Sequence, residues 1–244
     1  MTNFTIGGVI NKHRGKDKVV VVLGATGTGK SRLAIDLATR SGAEVINSDK
    51  IEVYKGLDIV TNKVSNEECR GVAHHLFGII DLEVDFTVYN FVHHVLLAAD
   101  TIVQKNWLPI IAGGSNCFIQ ALVNDDTKFP YMRAIGVLEM DEFFRSEGLV
   151  DGETRDKLFK AATDEIKINT CKLGCRRVEK ILRMREEFGW KIHQLNATEV
   201  FLRRGGDANE AWEKLVLVPS MNIVARFICK ENIDPKPTAY EQLV

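Results

Sequence analysis

Val19-Val20-Val21-Val22-Leu23-Gly24-Ala25-Thr26-Gly27-Thr28-Gly29-Lys30-Ser31 joins a continuous apolar run to a glycine-rich loop. A β-branched run that ends in glycines suits a strand buried on both faces. Gly24 to Ser31 fits the pattern GxxxxGK[ST], and Leu33, Ala34, Leu37 and Ala38 then recur at helical spacing. Strand, loop and helix in this order predict a phosphate-binding unit. Its glycines let backbone N–H groups turn in around a polyphosphate, where a Cβ would obstruct the approach. Gly24, Ala25, Thr26, Gly27, Thr28, Gly29, Lys30 and Ser31 are therefore the candidate phosphate-binding residues. Lys30 supplies a mobile cation, and Ser31 offers a hydroxyl to Mg²⁺ at a helix N-terminus whose dipole favours an anion.

Outward from this unit the first half of the chain alternates strands with helices. Glu44 to Asn47 reads as a short strand, and Leu108 to Ala112 as another, closed by Gly113-Gly114. Between them Val88, Phe91, Val92, Val95, Leu96, Ala99 and Val103 mark an amphipathic helix from Thr87 to Gln104. The alternation predicts a P-loop NTPase-like α/β core over residues 15–125, with a mostly parallel sheet flanked by helices. Residues 132–232 read as a mainly helical C-terminal region. Glu153 to Phe188 is charged, with Leu158, Ala161, Ala162, Ile166, Val178, Ile181 and Leu182 as the expected buried stripe and Gly174 as a candidate kink. A last helix is expected between Asn209 and Lys230, interrupted at Pro219-Ser220.

Composition narrows the function. Over 244 residues, 32 Lys plus Arg against 33 Asp plus Glu leave a formal net charge of -1, so the chain has no global basic field for coating nucleic acid. Small anionic ligands stay open. No apolar run approaches the ~20 residues of a membrane-spanning helix, and no membrane partner is expected. Cys69, Cys117, Cys171, Cys175 and Cys229 include no CxxC and no zinc spacing. They read as reduced, partly buried thiols, with Cys171 and Cys175 as packing residues on one helix. Residues 1–16 lack an apolar signal core but carry Lys12, Arg14 and Lys16 and no acid, a weak organelle-targeting pattern. A cytoplasmic location is expected, with the plastid as the alternative, and a monomer.

The loop alone does not choose among nucleotide kinases, motor ATPases and transferases. A hydrolytic enzyme wants an acid at the end of another core strand, and the third strand ends instead in Gly113-Gly114-Ser115. The candidates are the Phe77 to Asp81 segment and Asp49, both near strand C-terminal ends, where open α/β sheets place ligands. Asp49 can hold Mg²⁺ through water, accept a proton from a nucleophile, or simply form a turn. His74-His75 points to a structural or substrate-contacting role rather than a metal, because adjacent side chains diverge and no third ligand is spaced for one.

Six segments follow one another in an order seen in one enzyme family. They are Gly24 to Ser31, Val45-Ile46-Asn47-Ser48-Asp49-Lys50, Val53 to Lys63, Gly71-Val72-Ala73-His74-His75-Leu76, Ala112-Gly113-Gly114-Ser115-Asn116 and Arg133-Ala134-Ile135-Gly136-Val137. From Lys18 to Ile228 the chain resembles the isopentenyltransferases, in particular the plant adenylate isopentenyltransferases of cytokinin synthesis, relatives of the tRNA dimethylallyltransferases. The resemblance implies transfer of a dimethylallyl group from dimethylallyl diphosphate to N6 of an adenine, with Mg²⁺ as cofactor and pyrophosphate released. It implies that the phosphate loop grips the leaving diphosphate, with Lys30 and Ser31 serving it and Mg²⁺, Asp49 as general base and Ser115 near the diphosphate. With neither a basic total nor a Cys/His finger, a free adenine nucleotide (ATP, ADP or AMP) is expected as acceptor over tRNA. Arg133, Lys167 and Arg176 are the candidate contacts to its phosphates.

The chain departs from that pattern at one place above all. Family members carry several dozen residues where this chain passes through Thr127 to Tyr131, so a central segment is read as missing near 126–132 and activity is expected to be weakened or lost. Glu52 stands where Gln is usual, Ala73 precedes the histidine pair, and Leu138 stands where Pro is common. The competing readings are a tRNA adenosine dimethylallyltransferase, a P-loop small-molecule kinase, and a catalytically dead binder.

Overall fold

The computed structural model describes residues 3–10, 18–59, 61–124, 135, 138–146 and 148–229. Six strands form one sheet: β1 (Asn3–Ile10), β2 (Lys18–Gly24), β3 (Ala43–Asn47), β4 (His74–His75), β5 (Leu108–Ala112) and β6 (Ile192–Asn196), in the order β4-β3-β5-β2-β1-β6. The helices are α1 (Lys30–Ser41), α2 (Asn66–Cys69), α3 (Val88–Gln104), α4 (Asn116–Asn124), α5 (Asp141–Arg145), α6 (Gly152–Phe188), α7 (Thr198–Leu202), α8 (Gly205–Trp212) and α9 (Val218–Ile228). β2, β3, β4 and β5 are parallel, while β1 runs antiparallel between β2 and β6. The result is the expected α/β fold with a mostly parallel sheet between helices.

Alternation along the strands divides the core in two. Val20, Val22, Val45, Ile110 and Ala112 face one side, packed with α1 and the C-terminal helices through Leu33, Leu37, Trp212 and Val216. Val21, Leu23, Ile46 and Ile111 face the other, packed with α3, α4 and α6 through Phe91, Val95, Phe118 and Ile181. Each of these strands is buried on both faces, as the Val19–Leu23 run implies. Thr87 starts α3 with a capping box: its Oγ1 accepts from Asn90 N–H at 3.2 Å while Asn90 Oδ1 accepts from Thr87 N–H at 2.9 Å.

Four expectations need correction. The sheet takes β6 from the half read as helical, and β1 lies before residue 15. Leu195 is the one buried residue of β6, too short a signal for alternation to show. Pro219 does not interrupt the last helix, because a π-helical turn over Glu213–Leu217 leads straight into α9 with Pro219 in its first turn, where its missing N–H costs least. On α6, Ala162 and Ile181 are buried, but Ala161 and Leu182 are exposed and Met184 is buried instead. Cys171, Cys175 and Cys229 are exposed rather than packed, and Cys69 and Cys117 are partly buried.

The helix that follows the phosphate loop is held from behind. Asp36, 7% exposed, accepts from Trp212 Nε1 at 2.7 Å on one oxygen and is paired with Arg70 on the other. Arg32 lies over the Trp212 ring at 4.4 Å. These contacts tie α1 to α8 across 176 residues of sequence.

Candidate active site

β2, β5 and β3 are neighbours and end at the same edge of the sheet, so the loops that follow them meet. The loop after β2 is the phosphate cradle. Gly27 and Gly29 hold φ of +75° and +87°, left-handed values that favour glycine, and Gly29 is the cap from which α1 starts. Thr28 Oγ1 donates to Ala25 O at 2.9 Å, and Lys30 Nζ donates to the same carbonyl at 2.6 Å. Ser31 stands exposed in the first turn of α1, and Thr26 Oγ1 accepts a hydrogen bond from Arg177 of α6.

The loop after β3 delivers Asp49. Asn47, buried at the strand end, fixes the turn: its Nδ2 donates to Leu76 O at 3.1 Å and to Asp49 O at 3.0 Å, and its Oδ1 accepts from Asp49 N–H at 2.8 Å. Asp49 Oδ1 accepts from Ile51 N–H at 3.0 Å. Asp49 Oδ2 is turned toward the third loop, where it shares the space above Gly114 with the Arg177 guanidinium. A Cβ on Gly114 would lie 2.6 Å from Asp49 Oδ2 and 2.6 and 2.8 Å from the two terminal nitrogens of Arg177.

The loop after β5 braces that turn. Ser115 N–H donates to Ser48 O at 3.1 Å, and Ser115 Oγ accepts from Lys50 N–H at 3.0 Å. The backbone passes so close that a Cβ on Gly113 would meet Asp49 N and Ser48 C at 2.5 Å. Asn116 Nδ2 reaches across to Arg177 O at 3.1 Å.

These groups share one electrostatic environment. Burial, helped by the Arg177 charge, lowers Lys30 to about 8, with Asp49 and Glu52 opposing in part. Burial also lowers Arg177 from its usual value, again with Asp49 opposing. Two cations, Lys30 and Arg177, stand at the glycine-rich loop with the Asp49 carboxylate beside them, an arrangement that suits an anionic phosphate next to a proton acceptor.

The structure therefore brings Gly24 to Ser31, Asp49 and Ser115 to one edge of the sheet. Ser115 is 3% exposed and is engaged with the Asp49 turn. Lys167 and Arg176 lie apart from this cluster: both are exposed on α6 and line an open concavity with Ile168, Cys171, Lys172 and Cys175, and Lys167 pairs with Asp164 at 3.0 Å. Arg133 lies outside the described residues. Of the histidine pair, His74 Nδ1 bonds to Val72 O at 2.8 Å and His75 Nε2 to the buried Glu44 at 2.6 Å. Sequence reasoning missed Arg177. Only the phase of α6 distinguishes it from Arg176, and Gly174, whose Cβ would stand 3.8 Å from Ala25 Cβ, is the sequence signal that this helix passes close to the phosphate loop.

A phosphate cradle and a carboxylate at the C-terminal edge of a parallel sheet define a P-loop enzyme acting on a phosphorylated substrate. The IPP transferase family profile matches residues 52–131. The chain is 46% identical over 268 positions to adenylate isopentenyltransferase 5, chloroplastic, of Arabidopsis thaliana, covering 88% of this chain and 81% of that protein. It is 41% identical over 270 positions to adenylate isopentenyltransferase 7, mitochondrial, of the same plant, covering 89% and 82%. Among solved structures it is similar to a eukaryotic dimethylallyltransferase acting on tRNA, at 24% identity and a TM-score of 0.44, covering 88% of this chain and 57% of that one. The chain belongs to the adenylate isopentenyltransferase family. Because 88% of 244 residues is about 215, about 53 of the 268 aligned positions are filled by the first relative alone.

Proposed function

We propose that this chain transfers a dimethylallyl group from dimethylallyl diphosphate to N6 of the adenine of ATP, ADP or AMP. The observation that carries the reading is the meeting of the phosphate loop, Arg177 and Asp49 over Gly114 in a chain of this family. The adenine N6 lone pair forms the new bond to the allylic carbon as the carbon–oxygen bond to diphosphate breaks. That bond's electron pair leaves on the diphosphate, and the N6 proton passes to Asp49. Charge grows on the diphosphate as the bond breaks, so Lys30, Arg177 and the loop N–H groups stabilise the transition state more than the bound substrate. Ser115 serves by holding the Asp49 turn.

Mg²⁺ fits this donor set. Ser31 presents its hydroxyl at the start of α1, and among the described residues no group of three or more His, Cys, Asp or Glu forms a protein cage. Mg²⁺ keeps several waters and binds largely through substrate phosphates rather than an all-protein cage, so the Ser31 hydroxyl would hold it together with the bound diphosphate. When bound it supplies further neutralisation of the diphosphate. Lys167 and Arg176, on one concavity of α6, are proposed for the acceptor phosphates, together with Arg133.

The division into an α/β core over 15–125 and a mainly helical region over 132–232 stands as a proposal, and so does the loss of a central segment near 126–132. The roughly 53 positions filled by the relative alone support that loss, and the end of the family match at residue 131 suits its location. Turnover is accordingly proposed to be weak. The protein is taken as a monomer. For its location, cytoplasm and plastid stay open, and the chloroplastic and mitochondrial relatives favour an organelle. No described helix is long and apolar enough to cross a membrane.

Purified protein with dimethylallyl diphosphate, Mg²⁺ and ADP should form N6-dimethylallyl product slowly, and ATP should give no phosphoryl transfer to small molecules. Family-like turnover would overturn the impairment, while thermal stabilisation by the donor without any product would mean a dead binder. Arg177→Gln should weaken binding of inorganic diphosphate about 10- to 100-fold, the worth of charged hydrogen bonds. Arg176→Gln should change it less than about twofold, as expected for an exposed charge. Calorimetric titration of the two variants measures the difference.

A further inference from the structure

Two consecutive residues after β5 take hold of the two sides of the site. Ser115 braces the Asp49 turn through Lys50 N–H, and Asn116 donates from Nδ2 to the main-chain carbonyl of Arg177 at 3.1 Å. The second bond falls where apolar packing does least for α6. Between Ala162 and Ile181 no residue of the helix is buried, so the core does not fix the rotation of the stretch that carries Gly174 and Arg177 past the phosphate loop. Polar contacts hold it instead: Asn169 Nδ2 donates to Glu139 Oε1 at 2.9 Å, the Arg177 guanidinium donates to Thr26 Oγ1, and Asn116 grips the Arg177 main chain. The Asn116 bond comes with a penalty. Asn116 is 3% exposed, and because a carbonyl takes its nitrogen, its Oδ1 is left buried without a hydrogen-bond partner. Arg177 Nε and Ser48 Oγ are in the same condition, and among the described residues these three are the buried side-chain polar atoms that lack a partner. All belong to residues at the junction of the loops after β3 and β5 with α6. A buried amide with an unused oxygen serves stability worse than an apolar side chain would, so its use here points to placement.

We propose that Asn116 is a positioning residue: by holding the Arg177 main chain it sets the rotation of α6 and so keeps the Arg177 guanidinium at the phosphate loop, beside Asp49. The inference rests on the transferase reading of the same site and adds a residue that acts on the diphosphate only through Arg177. An arginine side chain is long and rich in rotamers, so where its guanidinium can reach depends on where its Cα stands and which way its Cβ points. A helix turned by one residue is rotated by about 100°, which would send that guanidinium to the exposed side, where Arg176 stands. Fixing the origin of the side chain before the anion arrives lowers the ordering cost of binding. Ser115 and Asn116 thus divide the work at the end of β5, one holding the turn of the proton acceptor and the other the helix of the cation.

Calorimetric titration of inorganic diphosphate into the native chain, Asn116→Leu, Arg177→Gln and the double variant tests the proposal. Asn116→Leu should weaken binding about tenfold in the native chain, within the coupling range of residues in contact. In the Arg177→Gln background the same substitution should change binding less than about twofold, because the group through which Asn116 acts is gone. A role confined to folding or to the start of α4 would weaken binding equally in both backgrounds, and that result would overturn the proposal. Unaltered binding in Asn116→Leu would overturn it too. Thermal melts establish that each variant is folded, and Asn116→Ala takes the same place in the cycle if Asn116→Leu is not. Either overturning result leaves the transferase reading intact, whereas no diphosphate binding by the native chain would sink that reading and the proposal together.

Discussion

Asp49→Asn should lower kcat by about 10²- to 10⁴-fold, the range for removal of a positioned general base. The substitution keeps the oxygen that accepts from Ile51 N–H, so the turn set by Asn47 and Ser115 stays in place. It removes the only charge on that side chain, next to Arg177. Loss of a negative charge beside the cradle favours an incoming anion, so KM for the prenyl donor should stay level or fall. That split distinguishes a base from a residue that merely orders the site, whose loss would raise KM as well. Single-turnover product formation at saturating donor reads kcat directly even in a slow enzyme. If turnover persists in Asp49→Asn, Asp49 is not the base.

The second large effect separates two adjacent glycines. Gly113→Ala pushes a methyl to 2.5 Å from Asp49 N and Ser48 C, both main chain, so β3 and β5 must part to admit it. Overpacking of this kind costs about 3 kcal/mol. In a domain of this size, that lowers Tm by about 6–12 °C. Gly114→Ala meets only side-chain ends, Asp49 Oδ2 and the Arg177 guanidinium. Those can swing aside, so Tm should change by less than about 3 °C. The displaced groups are the ones proposed to act on substrate, however, and a misplacement of about 1 Å costs about 10²-fold in rate. Thermal melts and rates of the two variants should thus move in opposite patterns: fold lost at Gly113, rate lost at Gly114. Equal losses of stability in both would refute this account of the loop.

Much of the fold and of the site is legible in the sequence. The β2 run, the phosphate loop and the Thr87 start of α3 each carry a strong local signal: β-branched residues, glycines at left-handed positions and a capping box. What failed to show depends on long-range or rotational information. β6 has one buried residue and is placed by pairing with β1. α6 is charged nearly all round, so its phase is not legible in the sequence: Leu182, expected on a buried face, is exposed, and only that phase separates Arg177 from Arg176. One residue on a helix is about 100° of rotation, which is the difference between solvent and the phosphate loop.

The tie between Asp36 and Trp212 has a consequence for how the protein comes into being. A nascent chain leaves the ribosome from its N-terminus, so the complete loop Gly24 to Ser31 emerges when most of the polypeptide is still unmade. Its helix gains the Trp212 contact only after α8 has followed, 176 residues later along the chain. During that interval the anion cradle exists as sequence without its backing. The contact that backs α1 is thus made only late in synthesis, by a helix distant in sequence from the loop it supports.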